Sequence, residues 1–212
     1  MKQFDQFITQ LSEELKKPLP GKEGQLGMAP VPINQERFEF EHRDDALMSG
    51  VLILLYPDDG LVRFPIIQRN TYPGVHSGQI SLPGGKKEAT DIDLIDTAKR
   101  EAQEEIGVPK DDVFVLGNLS EMYVQVSNFR ILPTVGYSMT KPEFVQDDRE
   151  VVKLFEVDLN DLLNPKIRQS KEMKAKQDLE MIIPYFNIQN KMVWGATAMI
   201  LNEFSTILQR IK

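Results

Sequence analysis

Three glutamates and an arginine crowd into six residues, Arg100-Glu101-Ala102-Gln103-Glu104-Glu105. On a helix Glu101 and Glu105, four apart, fall beside each other, with Glu104 further round. Like charges so placed destabilise a helix by roughly 0.2–0.5 kcal/mol, and Glu104 and Glu105 also sit at its negative end. A divalent cation between the carboxylates reverses that sign, and hard oxygen ligands at this spacing suit Mg²⁺ or Mn²⁺. A solvated acidic face is the other reading of these six residues taken alone. Pro83-Gly84-Gly85 upstream shifts the balance, because paired glycines permit a tight turn and let backbone approach a ligand closely. The chain has no cysteine, so a thiolate nucleophile and Cys-ligated zinc are excluded. Carboxylates aimed at one point beside a glycine turn suit metal-assisted attack of water on phosphorus.

A helix must present those carboxylates. Asp91 or Asp93 can cap its start, Gly107 can supply a left-handed stop, and Pro109 lies just beyond. Ile95, Ala98, Ala102 and Ile106 recur at helical spacing, and the two alanines let that stripe lie close against a sheet.

The run Arg100–Val108 resembles the second half of the Nudix box, G-x5-E-x7-REUxEExGU, where U is a bulky apolar residue. Counting from Gly85, Asp91 holds the place of the first glutamate, one extra residue precedes Arg100, and Ala102 is small for a U position. These departures resemble the coenzyme A diphosphatase branch. That branch also carries R-(several)-H-x-G-Q-x-x-F-P-G-G upstream, which Arg69, His76, Gly78, Gln79, Pro83, Gly84 and Gly85 match, with Leu82 for the phenylalanine. The resemblance is dense over Arg69–Val108 and traceable from Gly50 to Ala198.

What the resemblance implies is an α/β Nudix fold, a mixed curved sheet between helices, and hydrolysis of a nucleoside diphosphate linkage with Mg²⁺ or Mn²⁺. Coenzyme A or acyl-CoA is the implied substrate, with 3′,5′-ADP and 4′-phosphopantetheine (or its acylated form) as products. Glu101 and Glu105 are the first-choice metal ligands and Glu104 the third. Glu104, Glu105, Arg100 and Glu150 form the catalytic set. Arg100 orients a box glutamate or stands as an i, i+4 pair with Glu104. Glu150 resembles the acidic residue the family places before a late strand; a further ligand, a general base and a merely charged strand entry all remain open for it. Arg69, His76, Gln79, Gly84, Gly85 and Lys86 are the expected substrate contacts. Other enzyme readings are an ADP-ribose, NADH or NTP diphosphatase. A binding module without turnover would have lost box glutamates, and here all are kept.

A net charge of −7 over 212 residues argues against nonspecific nucleic-acid binding, while a metal would supply the local positive charge a phosphorylated substrate needs. The longest apolar run, Val51–Tyr56, is too short to span a bilayer, and with no signal-peptide pattern the expected location is cytoplasmic. A homodimer is within what the sequence allows.

Along the chain, Phe4, Phe7, Ile8, Leu11 and Leu15 mark an amphipathic helix, and Leu19–Asn34 reads as an extended surface loop. Residues 1–34 thus precede a Nudix domain over 35–212, with the box at about 85–108. Gly50–Tyr56 and Leu61–Gln68 read as a hairpin, Ile80–Leu82 as a short strand, and Val113–Leu119, Met122–Val126, Phe129–Tyr137 and Val151–Val157 as further strands. Pro165–Asp178, highly charged, reads as an exposed insertion or mobile loop. Met181–Phe186 and Lys191–Trp194 flank an Asn-rich turn. Trp194 is expected to pack, and a final helix turns Ile200, Phe204, Ile207, Leu208 and Ile211 to the core.

Overall fold

The computed structural model describes residues 2–32, 43–71, 77–174 and 180–211. In order the elements are α1 (Lys2–Leu15), α2 (Gly21–Leu26), β1 (Val31–Pro32), β2 (Leu47–Asp58), β3 (Leu61–Arg69), β4 (Ile80–Ser81), β5 (Gly84–Lys86), α3 (Leu94–Ile106), β6 (Phe114–Asn118), β7 (Met122–Val124), β8 (Phe129–Tyr137), β9 (Val151–Asp158), α4 (Leu159–Leu163), β10 (Arg168–Lys174), β11 (Glu180–Ile188), β12 (Lys191–Trp194) and α5 (Gly195–Leu208). The architecture is the α/β mixed sheet with helices expected from the sequence. The expected boundary between residues 34 and 35 lies outside the described residues.

The larger sheet runs β4-β3-β2-β8-β6, with β5 added to β2, β7 to β8 and β9 to β3. It is mixed, because β2 pairs parallel with β8 from Leu47↔Phe129 to Leu55↔Tyr137, while β2–β3 and β3–β9 are antiparallel. The β2–β3 turn is Asp59-Gly60, both at positive φ (48° and 80°), as a two-residue hairpin turn requires. Alternation along β2 sends Leu52 and Leu54 to one face and Ile53 and Leu55 to the other. The first face packs on Ala98, Ala102 and Ile106 of α3; the second joins α1, α5 and the smaller sheet in the main core.

Gly50 sets how closely α3 lies on the sheet. A Cβ there would stand 2.2 Å from the Leu94 carbonyl and 2.9 Å from the Ala98 amide, so the close seat needs a bare strand residue as well as the helix alanines. Along α3 itself Leu94 and Thr97 are buried and Ile95 is only half-buried. The apolar stripe is therefore rotated slightly from its sequence-based position, and Glu105 turns inward.

Two stretches differ from their sequence readings. Within Leu19–Asn34, Gly21–Leu26 is helical and packs on α5. The Gly21 N–H and the Gln25 amide donate to the wholly buried Glu203 carboxylate at 3.0 and 2.9 Å, and the Ser120 N–H adds a third bond at 3.2 Å. Within Pro165–Asp178, Arg168–Lys174 is a strand along β11, in register from Arg168↔Phe186 to Lys174↔Glu180 and exposed throughout. Backbone pairing holds it, which leaves its charged side chains in water. Trp194 is half-buried at the entry to α5. Among the described residues no helix is long and apolar enough to cross a membrane.

Candidate active site

The turn at Gly84-Gly85 and the helix α3 face each other across the end of β2. Asp93 caps α3, accepting the Asp96 N–H at 2.8 Å, and Gly107 ends it at φ 74°. Asp91, the other capping candidate, does something else. Its carboxylate accepts Arg100 Nε and Nη2 at 2.8 and 3.1 Å, the Thr97 hydroxyl at 2.9 Å and the Glu88 N–H at 2.8 Å. This two-pronged clasp holds the carboxyl well below the usual carboxylate range, against the opposing effect of burial, and raises Arg100 in turn. Arg100 Nη2 also bonds the Lys86 carbonyl at 3.0 Å, so one guanidinium ties the loop to both strand and helix.

From that fixed point Arg100 reaches two box glutamates, Glu101 at 3.0 Å and Glu104 at 2.7 Å. The same guanidinium thus meets both Glu101 and its i, i+4 neighbour Glu104. Glu104 is exposed, whereas Glu101 is mostly covered and lies against Gly85, where a Cβ would meet its carboxyl carbon at 2.4 Å.

Glu105 is wholly buried. It accepts the Gly84 N–H at 2.8 Å on one oxygen and Arg69 Nη1 at 3.1 Å on the other; Arg69 Nη1 also lies 3.3 Å from the Gly84 carbonyl. Burial pushes the Glu105 carboxyl up to about 8; Arg69 and the Gly84 amide oppose the rise, and the charges of Glu101 and Glu150 add to it. Glu101 is raised too, first by burial, with Arg100 pulling it down and Glu104 and Glu150 pushing it up. Glu150 therefore belongs to the same electrostatic cluster, although 45 residues separate it from Glu105 in the chain. Its backbone is fixed there by the Asn70 N–H, which donates to the Glu150 carbonyl at 2.8 Å.

The remaining candidates are placed as follows. Gln79 precedes β4, and its carbonyl accepts the Arg69 N–H at 3.0 Å. Lys86 ends β5 with its side chain exposed. Arg69 is engaged with Glu105, a partner the sequence did not suggest. His76 lies outside the described residues.

The donors fit a hard divalent cation. They are carboxylates only, three of them (Glu101, Glu105 and Glu150) in mutual repulsion, and one is buried to a degree that disfavours its own ionised form. As the side chains stand, no three acidic or histidine groups among the described residues are yet drawn into one ligand cage. Glu101 is held by Arg100 and Glu105 by Arg69, so a cation would compete with an arginine for each.

Comparison with known proteins gives the family. The NUDIX domain family matches residues 46–178. The chain belongs to the Nudix family. It is 35% identical over 185 residues to NudL, an uncharacterized Nudix hydrolase of Pectobacterium atrosepticum, covering 85% of this chain and 88% of that one. It is 34% identical over 184 residues to the mitochondrial Nudix hydrolase 15 of Arabidopsis thaliana, covering 84% of this chain but spanning only 62% of that protein's length. Its fold matches the crystal structure of the Nudix hydrolase RenU of M. smegmatis with a TM-score of 0.54, at 16% identity, over 86% of this chain and 94% of the other. The protein is a Nudix hydrolase, of a family that acts on nucleoside diphosphate linkages with divalent metal ions.

Proposed function

We propose that this Nudix hydrolase cleaves the diphosphate of coenzyme A or its acyl thioesters, with Mg²⁺ or Mn²⁺, to 3′,5′-ADP and 4′-phosphopantetheine or its acylated form. The observation that carries the chemistry is Glu101 against Gly85 and the buried Glu105 on the Gly84 N–H, with Glu150 near enough to act on the charge of both. For the substrate, support comes from the upstream signature through Arg69, Gly78, Gln79 and Pro83-Gly84-Gly85 and from the lengthened Asp91–Arg100 spacing.

A bound divalent cation supplies neutralisation of the diphosphate oxygens and a more acidic water. The chain supplies the rest. Arg69 and the Gly84 N–H hold Glu105 in one orientation, and the Asp91 clasp holds Arg100 so that Glu101 and Glu104 start from fixed positions. Glu150, exposed beside the cluster, takes the proton of the attacking water. The water oxygen bonds to one phosphorus, the bridging P–O bond breaks, and the departing phosphate leaves as the second product.

Incubation with CoA, acyl-CoA, ADP-ribose, NADH and NTPs, each with Mg²⁺ or Mn²⁺, tests this by mass spectrometry. CoA should yield 3′,5′-ADP and 4′-phosphopantetheine. Intact CoA and thioesters alongside consumption of ADP-ribose or an NTP would overturn the substrate and leave only the diphosphatase.

A further inference from the structure

The end of β3 divides two charge clusters of opposite sign. Gln68 and Arg69 are consecutive there, at a register shift in the β3–β9 ladder, and their side chains reach partners on different elements. Arg69 goes to Glu105 on the α3 side. On the other side, Gln68 pairs across the strands with Lys153 of β9, and its amide oxygen accepts from Lys191 Nζ of β12 at 3.4 Å. Both ammonium groups sit over one ring, that of the buried Phe155, at 5.2 and 5.7 Å from its centroid.

Neither lysine has an ion-pair partner among the described residues, in a chain whose acidic groups outnumber its basic ones by 32 to 25. Two like charges brought to one ring gain only about 0.5–1 kcal/mol each from it at an exposed site, and they repel one another. As with the box glutamates, a counter-ion reverses the balance, and here it must be an anion. We propose that Lys153, Lys191 and Gln68 form a binding site for a phosphate monoester of the substrate, distinct from the diphosphate that is cleaved.

Glu150 lies three residues before Lys153 on the same chain segment. In the proposed pose the ligand passes around the end of β3, with its diphosphate at the carboxylates on one side and its second phosphate at the lysines on the other. Arg69 is already engaged by Glu105 and the Gly84 carbonyl, which makes the lysine pair the better reader of that group. The inference rests on the diphosphatase reading for a 3′-phosphorylated nucleotide and gives its 3′-phosphate a place.

Calorimetric binding of 3′,5′-ADP and of 5′-AMP tests the site without turnover, on the wild type, Lys153→Gln/Lys191→Gln, and Lys153→Arg/Lys191→Arg. The wild type should bind 3′,5′-ADP at least about tenfold more tightly than 5′-AMP. The glutamine pair should bind both alike, and the arginine pair should keep the preference. Equal binding by the wild type overturns the proposal, as does a preference that survives in the glutamine pair. Turnover of CoA against its 3′-dephosphorylated form separates the two readings. CoA left intact while the 3′,5′-ADP preference holds sinks the substrate and keeps the anion site. Cleavage of both forms with equal KM keeps the diphosphatase and sinks the anion site.

Discussion

Arg69 Nη1 stands 3.1 Å from an oxygen of Glu105, which has no solvent exposure. That contact joins the end of β3 to the last carboxylate of the box, and it decides how the site behaves before any metal or substrate arrives. Coulomb attraction and the Gly84 N–H oppose a desolvation that otherwise favours the neutral acid.

Arg69→Ala should therefore destabilise the metal-free protein by about 1–3 kcal/mol, because it takes one hydrogen bond from the buried Glu105 carboxyl and shifts that group further toward its neutral form. Arg69→Ala/Glu105→Gln should recover much of that loss, since the neutral amide no longer needs the guanidinium. Denaturant midpoints for the four proteins of the cycle measure it. Additive effects would show that the pair is not coupled.

Glu105→Gln alone should lower turnover on the order of 10²-fold or more, as loss of a metal-binding carboxylate removes several kcal/mol of transition-state stabilisation. From sequence, a small stabilisation is expected through relief of i, i+4 repulsion. In the structure Glu105 already has two partners and burial already favours its neutral form, so the substitution mainly leaves Arg69 with a weaker acceptor. Stability should stay within about 1 kcal/mol of wild type. Activity near wild type would move the metal site elsewhere.

Adjacent glycines should separate fold from chemistry. Gly84 is at φ 152°, and a Cβ there would meet the Gly50 carbonyl and the Val51 Cα at 2.5 and 2.6 Å, so Gly84→Ala should lose more than about 2 kcal/mol. At Gly85 the obstacle is the tip of the Glu101 side chain. That tip can move, so Gly85→Ala should fold nearly as stably, within about 1 kcal/mol, yet lose at least about tenfold in turnover as Glu101 is displaced. Thermal melts beside initial rates distinguish the two. Equal stability loss in both variants would mean that the Gly85 contact does not bear on Glu101.

The parts of the site legible in sequence are the local ones. The Asp93 cap and the Gly107 stop involve partners within five residues, and helical spacing placed Glu101 and Glu105 on neighbouring turns. The strands were legible where apolar and β-branched residues run together, as in Phe129–Tyr137, whose limits coincide with β8. What sequence missed depends on chain return. The burial of Glu105 follows from β3 and the glycine turn closing over it, and Asp91 finds Arg100 only because the loop doubles back. Helix α2 has too few apolar residues to announce itself, and its anchoring carboxylate, Glu203, lies 182 residues from Gly21. β10 has charged side chains in water on both faces, so no period betrays it.

The Asp91 clasp also fixes an acid response. Its carboxyl is held below the ordinary range in the fold, so the clasp contributes stability that is fully present above the unfolded-state pKa, about 3.9. That contribution is lost as the pH falls through the lower folded value. Asp91→Asn removes one side of a pair whose side chains are 1% and 13% exposed, and should cost about 2–4 kcal/mol at pH 7. The gap between wild type and variant should hold from pH 7 to about pH 5 and narrow progressively below pH 4. Urea titrations of both proteins at pH 7, 5, 4 and 3 measure it. A gap that stays constant into the acid range would mean that Asp91 acts through shape alone. With Arg100 released, Glu101 and Glu104 lose their common anchor, so turnover in Asp91→Asn should fall at pH 7 by about tenfold or more. Unchanged turnover would show that the clasp serves only the fold.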